Sequence, residues 1–488
     1  MSGAPAPCDP FRLLLPPEPE KRLERALFAL LLVSFAYFGS TPSWNPNSRF
    51  DLVRALVEQR TLSIDSFHEN TGDKSLRAGR YYSDKAPGLS FLAAPVHLAR
   101  WAPRWLAGRA PLPGDALWVR GSLFVCTVFT VGLLSALASV FLFRLGRALG
   151  ARPGRALLVA LAWSLATPAF AYSSLFFAHQ AVASMLIIGF VLLALRRGER
   201  FGARRLALVG ALLGFSVISE YPAALAAAAI GVYALLCGPR PVGLREQARV
   251  ALLLAAGASL PLLLAAVYNT AAFGAPWRIG YSTLVPSRFA LGMARGLFGV
   301  ELPRLAILWE ITFGGFRGLF PLAPVLLLGL GGGLWAAARA PWRLEARVAL
   351  AIFAAFLLLN AGYAFWHGGA SLGPRHLVPA LPFLALGLLG LPAGRAWSLA
   401  ALGLGLMSLA NVVGGTALGA DLPEWGNALT THIWPALLAG RIPSEPHAYN
   451  LGLVLGLEGT ASLAPLFAFW AAAAVPMLAL VRRLEREG

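Results

Sequence analysis

The sequence predicts an all-α integral membrane protein, a bundle of about 12 transmembrane helices with a large first extracytoplasmic loop carrying interfacial helices. Three observations carry this expectation. The 488 residues are 57% hydrophobic and only 13% charged, where soluble domains carry about 25% charged residues. Apolar stretches of about 20 residues recur along the chain, the length that crosses a bilayer as a helix. The arginines fall in small clusters between those stretches, the pattern of cytoplasmic loops in a multi-span protein. Backbone groups in lipid must pair internally, which excludes open sheets, and the runs are too long for barrel strands.

Residues 1–20 lack the apolar core of a signal peptide. The first span is therefore expected to be an uncleaved anchor, behind a cytoplasmic tail (1–25) that contains Cys8. Lys21, Arg22 and Arg25 precede that span, 26–41, and place the N-terminus in the cytoplasm. Later basic clusters follow at 144–155, 196–205, 240–249 and 339–347, at Arg395, and at 482–486. The segment 89–106 decides whether these share one side. It contains two prolines, a histidine and two arginines, and it is read as an amphipathic helix along the membrane surface. All the clusters then stay in the cytoplasm.

The expected spans are 26–41, 117–143, 155–172, 176–195, 204–219, 221–237, 248–269, 317–338, 346–366, 375–392, 396–415 and 461–481. The chain divides into a transmembrane catalytic bundle (26–415, including the loop 42–116), an extracytoplasmic loop (416–460), and a last span with a cytoplasmic tail (461–488). Both termini are cytoplasmic, and the protein is expected in the cell (inner) membrane. The arms 204–219 and 221–237 are short, about 24 Å at helical rise. Their turn, Ser219-Glu220-Tyr221-Pro222, is expected below the outer surface, with Glu220 on a cavity floor.

The net charge of +18 does not argue for nucleic acid, because the cations sit between membrane segments. The cytoplasmic loops are short and lack a glycine-rich phosphate loop, which argues against nucleotide chemistry there. Cys8, Cys126 and Cys237 show no metal-ligand spacing and no disulfide is expected. No cofactor is called for, and no ligand cluster indicates a metal.

The polar residues that look like chemistry gather on the outer face. A short surface helix is expected near Asn47, Arg49 and Asp51. The stretch Tyr82-Ser83-Asp84-Lys85-Ala86-Pro87-Gly88 places an acid and a base at the lipid–water boundary, where Lys85 can meet a lipid phosphate as a compact charge. His179, Glu220, Tyr221 and His367 lie in compact outer turns. Arg375 and His376 follow a glycine-rich stretch, and phosphate is the natural partner of an arginine at that depth. Asp65, Glu310, Asp421, Glu424 and His432 complete the outer set.

These motifs, "YSDKAPGL" above all, resemble the C-type (GT-C) glycosyltransferases, in particular the protein O-mannosyltransferase and aminoarabinose-transferase branch. The likeness spans nearly the whole chain in topology and short motifs in detail. It implies a GT-C-like bundle, a polyprenyl-phosphate sugar donor, and transfer to an acceptor hydroxyl on protein, lipid or glycan. The acid that the resemblance places in the first loop falls on Asn47, which cannot act as a base. Asp51, one helical turn on, is the substitute, with Asp84 as the other candidate. Lys85, Arg375 and His376 are then expected on the donor phosphate. Asn47, Arg49, Tyr82, His179, Glu220, Tyr221 and His367 are expected to line the substrate pocket. A transporter or flippase of lipid-linked sugars, or a glycan ligase or polymerase, is the competing reading.

Overall fold

The computed structural model describes residues 18–40, 43–109, 111, 114–239, 243–443 and 448–487. Cys8, with the rest of the first 17 residues, lies outside the described residues.

Each apolar segment predicted to span contains a helix, but the first, 26–41, is helical only to Ala36 and its residues Phe38–Ser40 form a strand. Five helices are long and apolar enough to cross a membrane: Ala116–Ala148, Leu244–Phe273, Arg343–Gly362, Arg395–Leu418 and Gly459–Glu487. Pro153–Leu165, Ala178–Ala194, Ala223–Leu236, Val325–Arg339 and Arg375–Gly390 are apolar but shorter. Glu18–Ala36 and Ala203–Ser219 fill the two remaining predicted positions. The chain is a helical membrane protein.

Ala178–Ala194 is the middle of the bundle. Nearly all its residues are buried, and it is apolar on every face, which a helix tolerates only when surrounded by others. It packs against Leu133–Ala148 and Ala203–Ser219. Leu244–Phe273 is the opposite case, with Leu252, Leu260, Leu263 and Val267 more than 60% exposed. In a membrane that face meets lipid. Its inner face lies against Ala203–Ser219 closely enough that glycine is required on both sides. A Cβ on Gly210 would fall 2.1 Å from the Leu254 carbonyl oxygen, and one on Gly257 would fall 2.0 Å from that of Ala207. Small residues are what let membrane helices approach to this distance.

The ends of several helices are tied by ion pairs. Arg144 meets Glu24 at 2.6 Å and Arg147 meets Glu20 at 2.9 Å. Arg197 reaches Glu345, which also accepts from the Tyr233 hydroxyl.

The opposite ends carry the irregular structure. Gly88–Leu106 is a helix, and it packs on Trp44–Arg54, Ala116–Thr127 and Ala203–Ser219. Two small antiparallel ribbons lie at this end. Phe38–Ser40 pairs with Ala448–Asn450, joining the start of the first loop to the last one. Lys74–Arg77 pairs with Arg80–Ser83 around the two-residue turn Ala78-Gly79. Both turn residues have positive φ, 50° and 73°, the conformation a tight hairpin turn needs to match strand twist.

Candidate active site: a charged cavity built by four loops

The hairpin explains where Lys85 goes. Its register pairs Lys74 with Ser83, so Asp73 and Asp84 face each other one step beyond the ladder. Ser75 Oγ donates to the Gly280 carbonyl at 2.6 Å, which fixes the ribbon against Gly280–Thr283. Lys85 Nζ then stands 3.0 Å from Asp73 Oδ2 and 3.2 Å from Asp84 Oδ2. The Phe289 ring lies 5.2 Å from the ammonium. Burial works against the Lys85 charge, but Asp73 and Asp84 outweigh it and hold its pKa above the ordinary value. Asp84 is fully buried; desolvation pushes it up to about 6 although the lysine pulls the other way.

Arg49 organises the second wall. It sits in the helix Trp44–Arg54 and is almost inaccessible. Its Nη1 donates to the Ala86 and Ser219 carbonyls, its Nε to Asn45 Oδ1, and its Nη2 to Glu220 Oε1 at 2.5 Å. One guanidinium therefore joins the first loop to the Ser219–Pro222 turn. Glu220 has left helical geometry (φ −150°, ψ 115°) and turns its carboxylate toward His179, whose Nδ1 is 3.9 Å away.

The third wall is the loop 363–374. Gly368 and Gly369 both have φ near +70°. A Cβ on Gly368 would come within 2.9 Å of the Arg375 side chain, so the glycine makes room for that arginine. Arg317, itself buried, donates to the carbonyls of His367, Gly369, Leu422 and Pro423. It lashes this loop to the late loop that carries Glu424. Burial holds the His367 imidazole below its ordinary pKa, against the pull of Glu424.

These walls line a cavity of about 950 Å³. Arg49, Lys85, His179, Glu220, His367, Arg375, His376 and Glu424 line it, so eight of the residues singled out in the sequence meet in one place. Others do not reach it. Asp51 is buried behind the cavity, where its Oδ1 accepts from Asn70 and its Oδ2 has no hydrogen-bond partner. Burial pushes it up to about 7. Asn47 is turned to the Asn70 carbonyl. Asp84 lies beneath Lys85, Tyr82 packs on Phe273, and Tyr221 packs on Tyr281. Asp65 accepts from the Tyr81 amide, a structural bond at the ribbon. His432 is bonded to the Trp425 carbonyl.

The sequence reading overlooked Asp73, Arg288 and Arg295, all on the cavity wall. A signal for Asp73 was present: Asp73-Lys74 and Asp84-Lys85 are the same acid–base step on either side of a hairpin turn. Trp44, Tyr281, Phe289, Tyr363 and Phe365 supply aromatic faces beside the charges.

Arg375, unlike Arg49 and Lys85, has no ion pair among the described residues. Its Nε is buried without a partner. Among the described residues no carboxylate lies within 4 Å of it. Its guanidinium carbon is 5.4 Å from the Phe177 ring. Among the described residues, no three His, Cys, Asp or Glu side chains gather as metal ligands.

No family model matches the sequence, and no curated protein matches it. Solved structures do. The chain is similar to ArnT, an aminoarabinose transferase, from Cupriavidus metallidurans bound to undecaprenyl phosphate, with a TM-score of 0.50 at 14% identity over 95% of this chain and 73% of that one. The apo form of the same transferase gives 0.44 at 15% identity over the same shares. The archaeal oligosaccharyltransferase AglB from Archaeoglobus fulgidus, in complex with an inhibitory peptide and a dolichol-phosphate, gives 0.45 at 12% identity over 88% of this chain and 59% of that one. The architecture described above is thus a GT-C-like fold.

Proposed function

We propose that this chain is a glycosyltransferase that moves a sugar from a polyprenyl-phosphate donor to an acceptor hydroxyl within the 950 Å³ cavity. The observation that carries the reading is Arg375, a cavity-lining guanidinium with no carboxylate partner, facing the same space as Lys85. An unpaired, half-buried cation whose Nε is cut off from solvent is costly unless a ligand supplies the counter-charge, and a phosphate matches the arginine fork. The ammonium of Lys85 spends two of its three N–H groups on Asp73 and Asp84, which leaves one for a phosphate oxygen. The transferase of similar fold was solved with undecaprenyl phosphate bound, which supports this donor class.

The chemistry follows from the wall groups. The acceptor oxygen attacks the anomeric carbon while a carboxylate takes its proton. The bond from that carbon to the phosphate oxygen breaks, and the electron pair leaves with the polyprenyl phosphate. Arg375 and Lys85 stabilise the charge that develops on it, with His376 beside them. Asp51 and Asp84 are the acids marked in the sequence, but neither reaches the cavity. Asp73 does, with one oxygen held by Lys85, and it is the carboxylate we assign as the base. Asp84 then orients Lys85, and Asp51 supports the loop through Asn70.

Helix order supports an extracytoplasmic cavity. Between successive cavity residues the chain makes paired excursions: Ala178–Ala194 with Ala203–Ser219, Ala223–Leu236 with Leu244–Phe273, Val325–Arg339 with Arg343–Gly362, and Arg375–Gly390 with Arg395–Leu418. The arginine-rich turns lie at the far end of each pair, which the positive-inside rule assigns to the cytoplasm. From Lys85 to His179 the chain passes Ala116–Ala148 and Pro153–Leu165, already a pair, so Gly88–Leu106 is the helix that lies along the surface.

The test is purified protein in liposomes containing radiolabelled polyprenyl-phosphate sugars and membrane extract as acceptor source. Release of free polyprenyl phosphate with label in the acceptor supports the reading. Movement of intact donor between leaflets without cleavage would favour a flippase instead.

A further inference from the structure

Two histidines lie unpaired in the same cavity. His179, at the start of Ala178–Ala194, is only 5% exposed, and its Nδ1 has no hydrogen-bond partner. The Nε2 of His376 is also buried without one. Their ring centroids are 5.5 Å apart. Tyr363 meets His376 edge-on at 5.2 Å and closes one side. Both rings line the cavity, and His376 adjoins Arg375 in the chain.

Buried polar groups are normally satisfied, so two orphan nitrogens side by side point to a ligand that satisfies them. A neutral imidazole offers one donor and one acceptor, and a hydroxyl group does the same. The charges nearby restrict the ligand further. Glu220 is the carboxylate next to the pair, and Arg49 already holds it. The other fixed charges beside the pair, Arg375 and Lys85, are positive. An ammonium group placed between the two rings would meet Arg375, and the carboxylate beside them, Glu220, is already paired with Arg49.

We infer that His179 and His376 form the sugar subsite, and that it takes the hydroxyls of an uncharged sugar rather than an amino sugar. This rests on the lipid-phosphate reading above. It adds the class of sugar, and it differs from an aminoarabinose transferase in what the pocket would accept.

The experiment measures binding to the full-length protein in nanodiscs. The probes are undecaprenyl phosphate alone, and undecaprenyl phosphate carrying glucose, galactose, mannose or arabinose, each beside its 4-amino-4-deoxy counterpart. At least one neutral sugar lipid is expected to bind about 10-fold more tightly than every amino-sugar lipid. In the His179→Ala/His376→Ala double variant, the advantage of that lipid over bare undecaprenyl phosphate should shrink to about twofold or less. His179→Asn/His376→Asn, which keeps hydrogen-bonding groups, should restore part of it. Because the readout is a ratio against the bare lipid, loss of folded protein does not mimic the effect. Amino-sugar lipids binding as tightly as neutral ones, or an advantage that survives in the alanine variant, overturns the subsite. Failure of bare undecaprenyl phosphate to bind the unaltered protein would instead remove the donor reading, and the subsite with it.

Discussion

Lys85 Nζ lies 3.0 Å from Asp73 Oδ2 and 3.2 Å from Asp84 Oδ2, so one ammonium joins a cavity carboxylate to a buried one. The relationship separates two roles that look alike in the sequence. Asp84 has no exposed surface and serves the lysine. Asp73 is 18% exposed at the cavity wall, with its second oxygen available to a substrate.

Asp73→Asn is therefore expected to reduce transfer by about 10²- to 10⁴-fold, the usual worth of a positioned base. Polyprenyl-phosphate binding should survive, since Arg375 is untouched. Single-turnover transfer together with lipid binding measures both. Equal transfer by Asp73→Asn and the unaltered protein would move the base elsewhere.

Arg375→Ala should weaken lipid-phosphate binding by about 10- to 100-fold, the value of a charge-assisted hydrogen bond of roughly 1.5–3 kcal/mol. Arg375→Lys keeps the charge but loses the planar fork, and should fall between the two. Gly368→Val should mimic part of the loss, because its side chain would occupy the space the arginine crosses. Titration with undecaprenyl phosphate distinguishes all three.

Arg49 is a different case, because its partners are all protein. Its contacts to Glu220, Asn45 and two carbonyls are buried. Arg49→Met leaves Glu220 without its counter-charge, and a broken buried pair typically costs about 3–5 kcal/mol. The expected outcome is a lower Tm in detergent along with lost activity. A Tm equal to that of the unaltered protein would mean the pair does not hold the two loops together.

Asp51 makes a pH prediction. Burial raises its pKa from 3.8 to about 7 in the folded chain, so folding takes up a proton between those values. Stability contributed by this group therefore falls as pH rises from about 4 to 7 and stays low above that. Asp51→Asn should flatten that slope and raise Tm at pH 8. Thermal unfolding across pH 4–8 checks it, and an unchanged slope would contradict the assignment.

Much of the architecture was legible because lipid imposes simple rules. Apolar runs and arginine clusters located every long helix, and the short arms around Ser219–Pro222 placed Glu220 at a cavity. Arg375 stands out because a charge at that depth is costly, and Lys85 because the lipid–water boundary lets it meet a lipid phosphate. The acids were harder. Asp51 looked well placed one helical turn from Asn47, but helical spacing does not say which face is covered. That face is covered by Asn70, from a loop 19 residues later. Asp73 depended on a hairpin whose Ala-Gly turn is a weaker signal than Asn-Gly. Arg317 is a buried arginine bonded to four carbonyls from two distant loops, a contact no local pattern announces.

The most direct measurement is a cryo-EM map of the protein in nanodiscs after incubation with undecaprenyl phosphate. The account predicts phosphate density within hydrogen-bonding distance of Arg375 and Lys85, with Asp73 facing the open space beside it. A phosphate bound outside this cavity, or a cavity left empty at saturating lipid, would contradict it.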